Sequence, residues 1–488
     1  MLIAQSTIAV SLCIALLAAG QAQAHGFGAR YDLPIPLSLY LAGAGLTVAL
    51  SFVMLARFMR SAPLAEDDRR INLMATAFGR VLGAPAMLLA WRTLGVALFL
   101  IVVTAGLFGV QSPLKNIAPV MVWAIWWVGM AYISALLGNL WGLVNPLDTL
   151  FQWTELLCGR IWPGRKLALG WRYPDALGAW PAVALFLVFA WMEMVWEHSD
   201  RPAHLAAAIL AYAALTWLGM LLFGRVEWLR RGEVFALVFG LFARFAPTEA
   251  RTSGAGGHAL YLRPPGVGLL AREPVPASVL VLVLAMLAAV SFDGFMETPL
   301  WAAILEHYSA PAGDPAGHSD GPRAWIRTAG VIGAPILFVA VYLGFCRLIA
   351  WSGGGRVPVT RITGLFVLTL VPIAIAYHLA HYLSFLAMAA QYLFVLASDP
   401  FGFGWDLFGT KNHFIRIGVV DARAVWYLSV GAIVIGHMFA VYLAHRIALQ
   451  AYPDRRLALR SQWPMLALMV CYTMTSLWII AQPIVTTR

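Results

Sequence analysis

The strongest constraint on this chain is a succession of uncharged apolar runs, each close to the length a helix needs to cross a bilayer. A hydrocarbon core of about 30 Å takes roughly 20 helical residues. Runs of this kind occur at Leu37–Leu55, Ala86–Leu107, Ile117–Leu137, Leu177–Trp196, Leu205–Phe223, Ala277–Phe295, Thr328–Ala350, Ile362–Ala397, Val425–Leu449 and Pro464–Ala481. The eighth is long, and Pro372 within it predicts a kink, because proline lacks an N–H and clashes with the preceding turn. A further run, Glu233–Phe245, is too short to cross and reads as re-entrant or interfacial. The expected fold is all-α, a polytopic transmembrane helical bundle of about ten spans plus that segment, forming a single domain over residues 25–488.

Composition points the same way. Hydrophobic residues make up 61% of the chain and charged residues 11%, whereas a soluble domain carries roughly a quarter of its residues as Asp, Glu, Lys or Arg. The charges present cannot cover a water-facing surface, so the lipid bilayer is the expected partner. A net charge of +10 would suit nucleic acid, but the Lys and Arg residues sit in short loops between apolar runs, and no nucleic-acid partner is expected. Those loops carry an orientation signal instead. Arg57 and Arg70 follow the first run, Arg160, Arg165, Lys166 and Arg172 the third, and Arg225, Arg230 and Arg231 the fifth. Arg356 and Arg361, then Arg446, Arg455 and Arg456, continue the alternation, provided Glu233–Phe245 does not cross. The positive-inside rule places these loops in the cytoplasm of a bacterial inner membrane and both ends of the mature chain outside.

Residues 1–24 read as a signal peptide: an apolar stretch from Leu2 to Gly20 is followed by Ala22-x-Ala24, the small-residue pattern of a cleavage site. Cleavage would make His25 the N-terminus, where its amine and imidazole together could chelate copper. Cys13, Cys158, Cys346 and Cys471 are widely spaced and form no CxxC pair, so neither a disulfide framework nor a thiolate zinc site is expected.

Ionisable groups inside a span are costly, and each needs an account. The eighth run contains Tyr377-His378-Leu379-Ala380-His381-Tyr382, whose two imidazoles three residues apart share a helix face. The ninth carries His437 at a similar depth, with His445 too far along the axis to join it. His378, His381 and His437 are candidate ligands for a divalent metal such as zinc, copper or iron; the alternative is that they hydrogen-bond between helices. Carboxylates collect at the opposite ends of the runs: Glu193 and Glu197, Asp293 and Glu297, Asp399 and Asp406. Asp293 and Glu193 are the candidate catalytic bases. Asn145-Pro146 reads as a structural turn, with Asp148 available to cap the segment that follows.

Several stretches carry a family resemblance: His25-Gly-Phe-Gly-Ala-Arg-Tyr-Asp-Leu-Pro, Gly232-Glu-Val-Phe-Ala, Ser291-Phe-Asp-Gly, Thr298-Pro-Leu-Trp, His378-Leu-Ala-His381-Tyr, Ser398-Asp-Pro-Phe-Gly and Gly436-His437. They resemble a family of bacterial integral membrane proteins labelled fenitrothion hydrolase. The resemblance covers most of the mature chain and implies a multi-span fold and hydrolysis of organophosphate triesters. Three functional readings follow. The first is a membrane-embedded, metal-dependent hydrolase of lipophilic organophosphate-like esters. The second is a transporter or metal permease using the same residues at the midplane, and the third is a redox protein holding copper or haem.

Overall fold

The computed structural model describes residues 31–59, 70–252, 258–270, 273–309, 320–416 and 420–486. The leader at 1–24 and the candidate ligand His25 lie outside the described residues. Among the described residues ten helices are long and apolar enough to cross a membrane, as the apolar runs require. They are α1 (Leu37–Phe58), α2 (Pro85–Phe108), α3 (Ile117–Leu136), α4 (Asp175–Met194), α5 (Pro202–Phe223), α7 (Ala277–Met296), α8 (Gly321–Ser352), α9 (Val359–Ser398), α10 (Ala422–Ala451) and α11 (Arg455–Ile484). Between α5 and α7 lies α6 (Val234–Ala243), which at 1.5 Å per residue is about 15 Å long, half a bilayer.

Local sequence sets where these helices start. Pro85 and Pro202 occupy the first turns of α2 and α5, and Pro181 the first turn of the α-helical part of α4 (Trp180–Met194), where a missing N–H leaves nothing unpaired. Asn116 caps α3 by accepting from the Ala118 N–H, while its amide donates to the Ala105 and Val110 carbonyls and so ties the end of α2 to the start of α3. Asn145 caps the amphipathic helix Pro146–Ile161 through the N–H groups of Leu147 and Asp148. Asp148, expected above to be the cap, instead pairs with Arg225 at 2.7 Å, because the carboxylate is worth more opposite a guanidinium than in a cap Asn145 already makes.

Two small sheets fix which connections share a face. Strand β1 (Tyr31–Asp32) pairs in parallel with β5 (Val485–Thr486), so the bundle begins and ends on one face, as ten crossings demand. Strand β2 (Ile71–Asn72), which follows α1, joins an antiparallel sheet with β3 (Thr248–Thr252) and β4 (His258–Leu262), which follow α6. One crossing precedes β2 and five precede α6, so the shared sheet requires α6 to return to the face it left. It does not cross. Its apolar residues Phe235, Phe239 and Phe242 pack inside the bundle against Trp126, Trp127 and Phe189.

The eighth span departs from a simple kink. It is α-helical over Val359–Phe366, tightens to a 3₁₀ turn at Val367–Leu370, and resumes as an α-helix at Val371, with Pro372 in the new first turn. Proline therefore sits where a helix begins, after a change of helix type. Burial separates this span from the others: 94% of the apolar window of α9 is buried, against 17% for α2. Helix α9 is the axis of the bundle, with α10, α7, α3 and α6 around it. Gly436 allows α10 to lie this close, since a Cβ there would sit 2.3 Å from the Ala376 Cβ and 2.8 Å from the Pro372 carbonyl oxygen.

The three-stranded sheet is held electrostatically. Glu249 on β3 meets Arg70 Nε at 3.2 Å, Arg251 Nε at 2.9 Å and Arg263 Nη1 at 2.9 Å. Burial pushes the Glu249 carboxyl upward, but the three guanidiniums outweigh it and hold the group below its ordinary value. A depressed folded-state pKa contributes stability that is present above the unfolded value and lost as pH falls through the folded one. Glu249→Gln should therefore ease local opening of the sheet by roughly 1–2 kcal/mol at neutral pH. Limited proteolysis within residues 248–262 should then run about 5–30-fold faster. The difference between variant and wild type should shrink as the pH is lowered below 4.5 and Glu249 takes up its proton.

Candidate functional site

The polar centre lies along α9, and its residues find partners on three neighbouring helices. His381 Nε2 lies 2.9 Å from Asp293 Oδ2, which comes from α7. The same oxygen accepts the Tyr382 hydroxyl at 2.7 Å, and that hydroxyl also lies 3.1 Å from Glu193 Oε1 on α4. Glu193 Oε1 in turn accepts the Trp127 indole N–H at 2.8 Å. A phenol has one proton, so Tyr382 is forked between two carboxylates and links them into one network, Trp127–Glu193–Tyr382–Asp293–His381. With Nε2 donating to Asp293, the neutral His381 ring carries its lone pair on Nδ1, at the opposite edge.

The helices deliver these groups by identifiable local means. Trp127 sits in a π-helical stretch, Val120–Gly129, that widens α3 where it passes α4 and α9. Asp293 precedes Gly294, where an added Cβ would lie 2.7 Å from the Tyr377 hydroxyl, 3.0 Å from Ile479 and 3.5 Å from His381 Nδ1. The missing side chain lets α7 come close enough for Asp293 to reach His381.

His381, Tyr382, Ser384, Asp293 and Glu297 supply the polar lining of a cavity of about 170 Å³. The apolar lining is Phe385 from α9 with Ile479, Ile480, Pro483 and Ile484 from α11. The cavity lies toward the face that carries β1 and β5, since Pro483 and Ile484 lead directly into β5. Its chemistry is that of a base beside an apolar surface. His381 Nδ1 can take a proton, Asp293 can stabilise the resulting imidazolium, and the apolar wall can hold a hydrophobic group.

The sequence candidates divide. Asp293, Glu193 and His381 come together, and Glu297 lines the same cavity, exposed. His378 does not join them. Its ring is enclosed by Tyr382, Trp127, Tyr132 and Phe242 at centroid distances of 4.7–6.1 Å, and its buried Nε2 has no hydrogen-bond partner among the described residues. His437 turns Nδ1 to the Ile433 carbonyl of its own helix at 2.8 Å and packs on Tyr472. Among the described residues no three His, Cys, Asp or Glu side chains are grouped to hold a metal ion, so His378, His381 and His437 do not converge as one ligand set. The physical reason is rotational: three residues along α9 put His378 against the aromatic side of α3 and α6, and His381 against α7. As expected, His445 belongs elsewhere, hydrogen-bonded to Gln462. Asp399 and Asp406 accept backbone N–H groups in the loop after α9 and lie outside the network.

Two members of the network were not singled out from sequence. Tyr382 was read only as a neighbour of the histidines, although a phenol adjacent to a buried imidazole was a usable signal. Trp127 gave none, because it is one of 20 tryptophans and its direction depends on the π-helical turn. The chain matches no family model, no curated protein and no solved structure, so its chemistry rests on its own residues.

Removing the shared phenol tests the network. Tyr382→Phe leaves the ring but strips the donor from both Asp293 and Glu193, and an unsatisfied buried polar group costs roughly 1–3 kcal/mol. The expected outcome is a lower midpoint in thermal unfolding of the detergent-solubilised protein, with the same helix content by circular dichroism. An unchanged midpoint would mean that the phenol does not join the two carboxylates.

Proposed function

We propose that this chain is a membrane-embedded hydrolase of neutral, lipophilic esters of the organophosphate type. The observation that carries the reading is the position of His381, backed by Asp293 and forming the polar wall of a cavity whose other wall is apolar. Ester hydrolysis needs a base beside the attacking oxygen and an apolar surface for the departing group. In this reading His381 Nδ1 is the base, while Asp293 orients the ring and stabilises its charge. Asp293 thus acts through the histidine instead of taking the proton itself. Glu193 fixes Tyr382, whose hydroxyl stands beside the reacting centre. The reading assigns the proton transfers to His381 and calls on no further group for them. The resemblance to the family labelled fenitrothion hydrolase supports the substrate class, and a substrate dissolved in lipid reaches a cavity within the membrane without crossing water.

The test is turnover in detergent, where no gradient exists. Purified protein should hydrolyse a dialkyl 4-nitrophenyl phosphate, and His381→Ala should lower kcat by about 10²–10⁴, the usual contribution of a positioned base. A second reading, proton-coupled transport, is favoured by the interrupted helix α9 beside the half-helix α6, a pairing that transporters use at their binding sites. Uptake by proteoliposomes with no turnover in detergent would select it.

We also infer that the arginine-rich connections face the cytoplasm and that β1, β5 and the cavity face the periplasm of a bacterial inner membrane. The excess of Arg in alternate connections supports this. Single cysteines introduced near Arg165 and Arg455 should resist an impermeant thiol reagent in intact cells, and one near Glu297 should react. The opposite pattern would invert the orientation.

A further inference from the structure

Hydroxyls on the membrane helices mostly turn back on themselves. Thr47, Thr104, Ser291, Thr328, Ser352 and Thr473 each donate to the carbonyl four residues earlier, the ordinary way a Ser or Thr satisfies itself in a helix. Ser384 does not. Its hydroxyl makes no hydrogen bond with the described residues, and the side chain lines the cavity that His381 and Asp293 share.

The cause lies on the next helix. The carbonyl four residues before Ser384 belongs to Ala380, and it accepts the Ser429 hydroxyl of α10 at 3.2 Å. A carbonyl oxygen has two lone pairs. The helix's own ladder, from the Ser384 N–H, uses one, and Ser429 takes the other. The usual acceptor for the Ser384 hydroxyl is therefore occupied, and that hydroxyl is left to the cavity. Ser384 is three residues on from His381 along α9, a spacing at which Cβ atoms lie about 5–6 Å apart, and the two side chains line the same cavity. A hydroxyl, an imidazole with a free Nδ1 and a carboxylate on the other ring nitrogen then lie along one wall.

We infer that Ser384 is the nucleophile of this site, working with His381 and Asp293 as a serine–histidine–aspartate set inside the membrane. The inference rests on the hydrolase reading above. In the first step Ser384 Oγ bonds to phosphorus while its proton passes to His381 Nδ1. The bond from phosphorus to the leaving oxygen breaks with its electron pair, and that oxygen takes the proton from His381. In the second step water adds to phosphorus and gives a proton to His381 Nδ1. The bond to Ser384 breaks and the serine oxygen recovers that proton, releasing the phosphodiester. Two transfers through one imidazole balance, and no co-reactant other than water is needed.

The experiment uses an alkyl fluorophosphonate, which reacts by the first step alone, with fluoride as the leaving group. Incubation of the purified full-length protein, followed by peptide mass spectrometry, should find one phosphonyl group on Ser384. Ser384→Ala should abolish the adduct and lower hydrolysis of the dialkyl 4-nitrophenyl phosphate at least 100-fold. His381→Ala should slow adduct formation comparably. Gel filtration and thermal unfolding close to wild type establish that the Ala variant is folded. Hydrolysis by Ser384→Ala at the wild-type rate overturns the inference and leaves the hydrolase reading standing, with water as direct attacker. An adduct only at another residue also overturns it. If the wild-type protein neither hydrolyses the triester nor takes up the fluorophosphonate, both readings fall together.

Discussion

Everything polar in this bundle follows from the enclosure of α9. Its most apolar stretch is 94% buried, and His381 and Tyr382, which follow that stretch, keep so little exposure that neighbouring helices must supply most of their polar partners. His381 and Tyr382 must be matched by groups reaching in from other helices, and each of those groups pays its own desolvation cost unless it is matched in turn. Asp293 from α7, Glu193 from α4 and Trp127 from α3 answer that requirement, and the result is a network with one member or pair from each of four spans. Packing precision is thus a condition of the network, which explains the close approach at Gly294.

The architecture was legible because hydrophobicity over 20 residues is a signal that tertiary structure does not override. All ten spans and the failure of Val234–Ala243 to cross could be read from run length and from where the arginines fall. The site was legible only in part. Asp293, Glu193 and His381 stood out as expensive residues in apolar runs, and they do meet. Their grouping with His378 and His437 was not determined by spacing, since depth along an axis says nothing about rotation around it. A single π-helical stretch in α3 and a 3₁₀ turn in α9 each change that rotation, and neither has a residue signature. Pro372 is the partial exception, marking the irregularity in α9 but not its kind.

The ring around His378 is the other product of the same enclosure. Trp127, Tyr132, Phe242 and Tyr382 surround an imidazole that keeps a buried Nε2 without a partner. Tyr132 donates its hydroxyl to the Leu379 carbonyl at 2.7 Å, one residue along from His378, so the aromatic ring and the backbone of α9 are fastened at the same level. Two histidines one turn apart on the same helix thus occupy opposite environments, one joined to a carboxylate and the other walled in by rings. The two carboxylates meet α9 on the side that faces α7 and α4.

The pairing of β1 with β5 has a consequence for how the molecule is made. Helix α1 is synthesised first, yet the helices it packs against are α10 and α11, and its strand partner is among the last residues of the chain. No neighbour in sequence order can substitute for them. Once inserted, α1 has to wait in the membrane, its buried face Leu41, Ala44, Val48 and Phe52 without these partners, until the ribosome has delivered α10 and α11. The bundle closes by a seam between its oldest and youngest segments, and α11, which carries the apolar wall of the cavity, is on the young side of that seam. The cavity therefore acquires its α11 lining only after α7 and α9, which carry the rest of it, have been made.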